Sequence, residues 1–381
     1  YYTRNSYTLT VNYNDNGVTS NATYTRQFES PLSINKPTRV GYTFSGWNDP
    51  ANAGSIKENE SGEGYIYTFG AGSETITALW TANVTTITLT PYNSETGVTI
   101  TPNTTIYARY DDNRLYDINP YGKDDTALTG HIITPDASKI AYDFNGFYND
   151  ANQVIITNAG AININNGVWN ITSGTLTLSA RFTAHEYTIT YQKGVDANNK
   201  PMDDASLSTT SGSYNIVNGF TLATASVSGY EFTGWRVESV TNTGDATTGG
   251  WSTGADLTGT TSIGQGNYGD LVLVATWEAR EYTITYDAND DDLISKLPSA
   301  SLPSPQTVEF DSSVTIASAL TLTGYTFEYW STSPLGESAG KRYDAGTSQT
   351  NLLTPTSDGT SITLYAIWQI QNFDLTVTIA G

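Results

Sequence analysis

The densest group of side chains able to do chemistry is acidic: Asp287, Asp290, Asp291 and Asp292 crowd into the segment DANDDD. Hard carboxylate oxygens in one turn suit calcium, but the spacing is not that of an EF-hand loop, so a solvated acidic turn is the better account of them and calcium the weaker one. Asp111, Asp112 and Asp117 in YDDNRLYD form a second group of the same kind. Calcium is the one ion the sequence admits, and no cofactor is expected. His131 and His185 are the only histidines, and neither has a recurring nucleophile or acid beside it, so a Ser-His-Asp or Cys-His arrangement has no basis. Cysteine is absent, which removes disulfides, thiolate chemistry and Cys-ligated zinc. Nucleotide-binding glycine motifs and H-E-x-x-H are missing too. No enzyme is expected.

What recurs instead is aromatic. A seven-residue block appears as GYTFSGW (41–47), AYDFNGF (141–147), GYEFTGW (229–235) and GYTFEYW (324–330). It repeats Tyr42, Phe44 and Trp47 as Tyr142, Phe144 and Phe147, as Tyr230, Phe232 and Trp235, and as Tyr325, Phe327 and Trp330. A closing segment follows each block and ends in Trp80, Phe182, Trp277 or Trp368. Rings reused at one place in every copy are what packing requires, so they are expected in module cores. Sugar stacking is the competing use, and Trp251, in an insertion peculiar to the third copy, is its best candidate.

Strands must position these rings. Opening segments alternate apolar and Thr positions, as in YTLTVNY (7–13), ITLT (87–90) and YTITY (187–191 and 282–286), which describes strands with one face in a core. The blocks and the closing segments ITALW, LTLSARF, LVLVATW and ITLYAIW read as strands as well. The odd spacing of the last block aromatic predicts a bulge near Gly46, Gly146 and Gly234. Only SSVTIASAL (312–320) could make a helical turn or two. The expected fold is therefore mainly β, α+β at most, as an elongated tandem array. Its boundaries are 7–82, 83–184, 185–279 and 280–370, preceded by the end of an upstream closing strand at 1–6 and followed by an orphan strand at 371–381.

On GYTFSGW, ITLYAIW, Pro37 and Arg39 the chain resembles the Listeria-Bacteroides repeat family, which includes the B-repeat of internalin-type surface proteins. Copy two departs most, with Phe147 and Phe182 in place of Trp. The resemblance implies four β-grasp-like modules displayed extracellularly on a bacterial surface.

A net charge of -21 opposes binding to nucleic acid and to anionic membranes, and no run of eighteen apolar residues is present to span a bilayer. In the orphan segment FDLTVTI, Phe373, Leu375, Val377 and Ile379 alternate with Asp and Thr. Such a strand needs a partner for its backbone and its apolar face. The expected function is a fibre subunit that self-associates head to tail, with those four residues as the subunit contact through β-strand addition. The alternative is a spacer or adhesive stalk whose partners are neighbouring repeats, and a carbohydrate-binding module stands third. Loops 104–130 and 240–270 are the expected places for lateral binding.

Overall fold

The computed structural model describes residues 1–120, 132–172, 174–241, 249–289, 302–357 and 359–374. They fall into two compact units, Tyr1–His185 and Glu186–Gly381. The fold is mainly β. Among the described residues its helical pieces are the single 3-10 turns Tyr92–Ser94, Asn165–Gly167 and Gly336–Ser338. The helical turn expected at 312–320 is not formed: Ser313–Thr315 is a strand paired with Ser348–Thr350. Its β-branched Val314 and Thr315 favour the pleated surface, and Val314 buries its side chain there.

Each unit contains two mixed sheets built on one plan. In the first, the order is Ala22–Gln27, Ser6–Asn12, Glu74–Ala82 and Tyr42–Asn48, with the two central strands parallel and each outer pairing antiparallel. The same order returns around Val84–Pro91 with Thr175–Ala184, around Tyr187–Gln192 with Asp270–Ala279, and around Glu281–Asp287 with Thr360–Ile370. In every case the opening and closing segments are the parallel central pair, and the aromatic block is the antiparallel neighbour of the closing strand.

Period-two alternation sets the faces. Tyr187, Ile189 and Tyr191 are buried while the intervening threonines are exposed. Leu9, Val11 and Ile76 anchor the core of the first sheet, Ile87, Leu89 and Leu178 that of the second, and Tyr282, Ile284 and Leu364 that of the fourth. Successive sheets within a unit are joined through almost no linker: Asn83 alone separates Glu74–Ala82 from Val84–Pro91, and Arg280 alone separates Asp270–Ala279 from Glu281–Asp287.

Candidate functional site

All four aromatic blocks carry a register shift, between Phe44 and Gly46, Phe144 and Gly146, Phe232 and Gly234, and Phe327 and Tyr329. The extra residue turns two rings three positions apart onto the same face. Each central Phe therefore meets the block ring behind it at 5.1–5.3 Å between centroids. It also meets its direct cross-strand partner, the closing ring, at 5.4–5.6 Å. Such contacts, edge-on except for the tilted Phe144–Phe182 and Phe232–Trp277 pairs, add about 0.5–1.5 kcal/mol per pair to simple burial.

Burial of these rings is uneven. Phe147, Trp235 and Trp330 are fully buried, Tyr230 and Trp277 are buried, and Phe44, Trp47, Trp80, Phe144, Phe182, Phe232, Phe327 and Trp368 are half-buried. The closing tryptophans donate Nε1–H to the end of the opening strand, Trp80 to Tyr13 O at 2.8 Å, Trp277 to Lys193 O at 2.7 Å and Trp368 to Ala288 O at 2.9 Å. Phe182 cannot do this. The second sheet instead contains Trp169, fully buried, whose indole donates to the Thr85 hydroxyl at 3.1 Å. Trp169 lies outside the repeated blocks, so periodicity had no means of singling it out.

The first residue pair of the block has a different role. Gly41 and Tyr42 stand at the end of the first sheet's block strand, where Asn83 N–H donates to Gly41 O and Tyr110 N–H donates to Asn83 O, both at 2.9 Å. The Tyr110 ring covers Gly41 so closely that an added Cβ would lie 2.3 Å from it. Tyr42 meets Tyr110 edge-on at 5.5 Å, donates its hydroxyl to Asp111 at 2.9 Å, and has the Arg39 guanidinium over its face at 3.8 Å. An open cleft of about 600 Å³ lies beside this contact.

The second unit repeats it. Arg280 N–H donates to Gly229 O and Phe310 N–H to Arg280 O, both at 2.9 Å. The Phe310 ring lies 2.3 Å from a Cβ placed on Gly229, and Tyr230 meets Phe310 edge-on at 5.7 Å. Tyr230 donates to Asp311 at 2.8 Å, and Lys200 pairs with the same carboxylate. Asp111 and Asp311 both sit at left-handed backbone, φ 62° and 64°. Each unit is thus locked at its internal junction by a glycine–tyrosine pair seated on an aromatic–aspartate turn.

These joints titrate at their ends. Burial, then the Asp111 hydrogen bond, pushes the Tyr42 phenol up to about 12. Burial and Asp311 push Tyr230 upward as well. Burial opposes ionisation of Asp311, but hydrogen bonds from Lys200, Asn351 and Tyr230 outweigh it and hold that carboxyl below its ordinary value. A lowered carboxylate pKa stabilises fully above the unfolded value near ~3.9 and fades as pH falls through the folded one; a raised phenol pKa stabilises fully below ~10 and fades as pH rises through its folded value. Spin-label distances across the second-unit joint are therefore expected to stay narrow between about pH 4 and pH 10 and to broaden outside that window. Gly229→Ala is expected to broaden them at neutral pH by displacing Phe310, and an unchanged distribution would mean the ring does not hold the joint.

The remaining expected site residues lie elsewhere. Tyr142 and Tyr325 hold the Tyr42 position of their own sheets, with Lys139 over the Tyr142 ring at 4.2 Å. Asp287 accepts the Asn289 N–H at 2.7 Å; Asp290, Asp291 and Asp292 lie outside the described residues. Among the described residues, no group of three His, Cys, Asp or Glu is placed to hold a metal. Asp111 and Asp112, grouped by sequence as acidic neighbours, separate into the joint and into a buried arginine clamp. Trp251 is half-buried and donates to the Tyr214 hydroxyl at 3.1 Å. Phe373 is 78% exposed and in no strand, and Leu375, Val377 and Ile379 fall outside the described residues, as does His131. The aromatic–acid turns of the joints, YDD at 110–112 and FDS at 310–312, were not singled out by the sequence, because their common placement depends on strand register.

Residues 9–68 and 282–367 match the model of the Listeria-Bacteroides repeat domain. The second and third sheets lie outside both matched regions. No curated protein matches the chain. Among solved structures, two of the pilus adhesin SpaC from Lactobacillus rhamnosus GG align with 90% and 92% of this chain at 11% identity and TM-scores of 0.21 and 0.20. The chain spans 57% of the length of that adhesin, and similarity at this level does not establish a shared architecture.

Proposed function

We propose that this chain is a structural segment of an extracellular bacterial surface fibre or stalk, made of four modules in series. The observation that carries the reading is the joint: one arrangement of glycine, tyrosine, aromatic ring and carboxylate is built once inside each unit, at a linker of a single residue. A repeated, nearly linker-free connection suits a part that holds spacing, because it removes the freedom a flexible linker would leave. The repeat-domain matches at both ends of the chain support the same role. In the joints the carboxylates are occupied by tyrosine and lysine partners, so the arrangement clamps rather than reacts.

Antibody raised against the folded chain is expected to label intact cells of the producing bacterium, and protease added outside those cells to remove the signal. Labelling that appears only after lysis overturns the surface role.

A further inference from the structure

The two joints consist of a glycine–tyrosine seat and an aromatic–carboxylate turn, and one further copy of each stands in the chain; the second sheet has Ala141 where these seats have glycine, with His185 N–H donating to its carbonyl at 2.9 Å. Phe28–Glu29 is the turn. Phe28 N–H donates to Asn5 O at 2.9 Å, as Tyr110 does to Asn83 and Phe310 to Arg280. Glu29 has φ 63°, beside 62° for Asp111 and 64° for Asp311. A glutamate with positive φ is uncommon, and such conformations cluster where a side chain must be aimed at a partner. Arg4 pairs with Glu29 at 3.2 Å, with both side chains more than half exposed, and supplies a cation beside the carboxylate as Lys200 does at Asp311. The third sheet's register puts Ile216 and Val217 at this position, without a carboxylate.

Gly324–Tyr325 is the seat. Gln371 N–H donates to Gly324 O at 2.9 Å, as Asn83 does to Gly41 and Arg280 to Gly229. A Cβ built on Gly324 meets nothing within 4 Å, whereas on Gly41 and Gly229 it meets the partner ring at 2.3 Å. Among the described residues the Tyr325 hydroxyl has no hydrogen-bond partner. Among the described residues, none fills the place that Tyr110 and Phe310 take in the completed joints.

We propose that the Phe28–Glu29 turn of one copy seats on Gly324–Tyr325 of a second copy, with the Tyr325 hydroxyl donating to Glu29 and the Phe28 ring covering Gly324. The partner surface is argued from the two joints already formed in the chain, whose parts these two faces duplicate. Asn5 and Gln371 hold equivalent places beside their sheets, so one linker yields on docking. Residues 1–5 and 371–374 are exposed and outside any strand, so what docking must displace is the Arg4 and Asn5 contacts on one side or the Gln371 contacts on the other. The proposal rests on the structural role above and names its self-contact.

Sedimentation velocity on the full chain over rising concentration tests it. The unaltered chain is expected to grow beyond a dimer. Gly324→Val, which closes the seat, and the double variant Phe28→Ala with Glu29→Ala, which removes the turn, are each expected to stay monomeric with unchanged circular dichroism. An equimolar mixture of the two is expected to stop at dimers, because each supplies the half the other lacks. An unaltered chain that stays monomeric at high concentration overturns the proposal, as do variants that associate like it. Association lost only on deleting 371–381 assigns the contact to strand addition instead. A monomeric chain that still labels intact cells leaves the surface role standing while this contact fails.

Discussion

Trp330→Ala is expected to destabilise the fourth sheet by about 3–5 kcal/mol, the range for removing a fully buried aromatic and leaving a cavity. The ring is fully buried, lies 4.7 Å from Tyr286 and 5.2 Å from Phe327, and donates Nε1–H to Ala317 O at 3.0 Å. Tyr286 is tied into the same place, since its hydroxyl accepts Ala317 N–H at 3.0 Å. Removing the indole thus strands a backbone carbonyl as well as opening a void. Native-state hydrogen exchange of strand Glu281–Asp287 reads the effect locally, where a global midpoint would mix several sheets. Protection is expected to fall by roughly two to three and a half decades. Trp330→Phe keeps much of the volume and loses the donor, so about 1–2 kcal/mol is expected from the hydrogen bond and the smaller ring. Trp47→Ala in the first sheet is expected to cost less than Trp330→Ala, because that ring is half-buried. A change below about 1 kcal/mol for Trp330→Ala would contradict its place at the centre of the core.

Asp112→Ala is expected to cost about 3 kcal/mol, at the lower edge of what breaking a buried ion pair does, because the guanidinium groups still reach water. The Asp112 side chain is 5% exposed and is held by Arg109 at 3.0 Å, by Arg114 Nε at 2.9 Å and by the Tyr116 hydroxyl. Burial opposes its ionisation, yet the hydrogen bonds from Arg114 and Tyr116, with Arg109 nearby, hold its pKa below the ordinary carboxylate value. Burial and Asp112 in turn push Tyr116 up to about 12. The carboxylate's stabilisation is therefore complete above about pH 4 and fades as pH falls through the lower folded value. Asp112→Ala should flatten that acid dependence in a denaturation series, and retention of the full slope would place its origin elsewhere.

The same substitution bears on the joint. Asp112 O accepts Trp169 N–H and Asp111 N–H donates to Trp169 O, both at 2.8 Å, so backbone bonds that do not involve the Asp112 carboxylate hold the turn that offers Asp111 to Tyr42. These bonds remain available in Asp112→Ala, so the Tyr42–Tyr110 joint is expected to keep its spacing while the stability falls.

What the amino-acid order determined by itself was periodic. Alternation in YTITY settled which face of the opening strand is buried, and the irregular interval between Phe232 and Trp235 located the bulge, because both depend on neighbours along the chain. Composition and the missing motifs narrowed the chemistry in the same local way. The tertiary structure alone decided that opening and closing strands lie side by side in parallel, since that pairing joins residues such as Tyr282 and Thr360 far apart in the sequence. It alone decided that Tyr42 leaves the aromatic triad to join Asp111, and that the helical reading of 312–320 gives way to a strand. Register and long-range contact set these outcomes, and a short segment carries no record of the partner that will bury it.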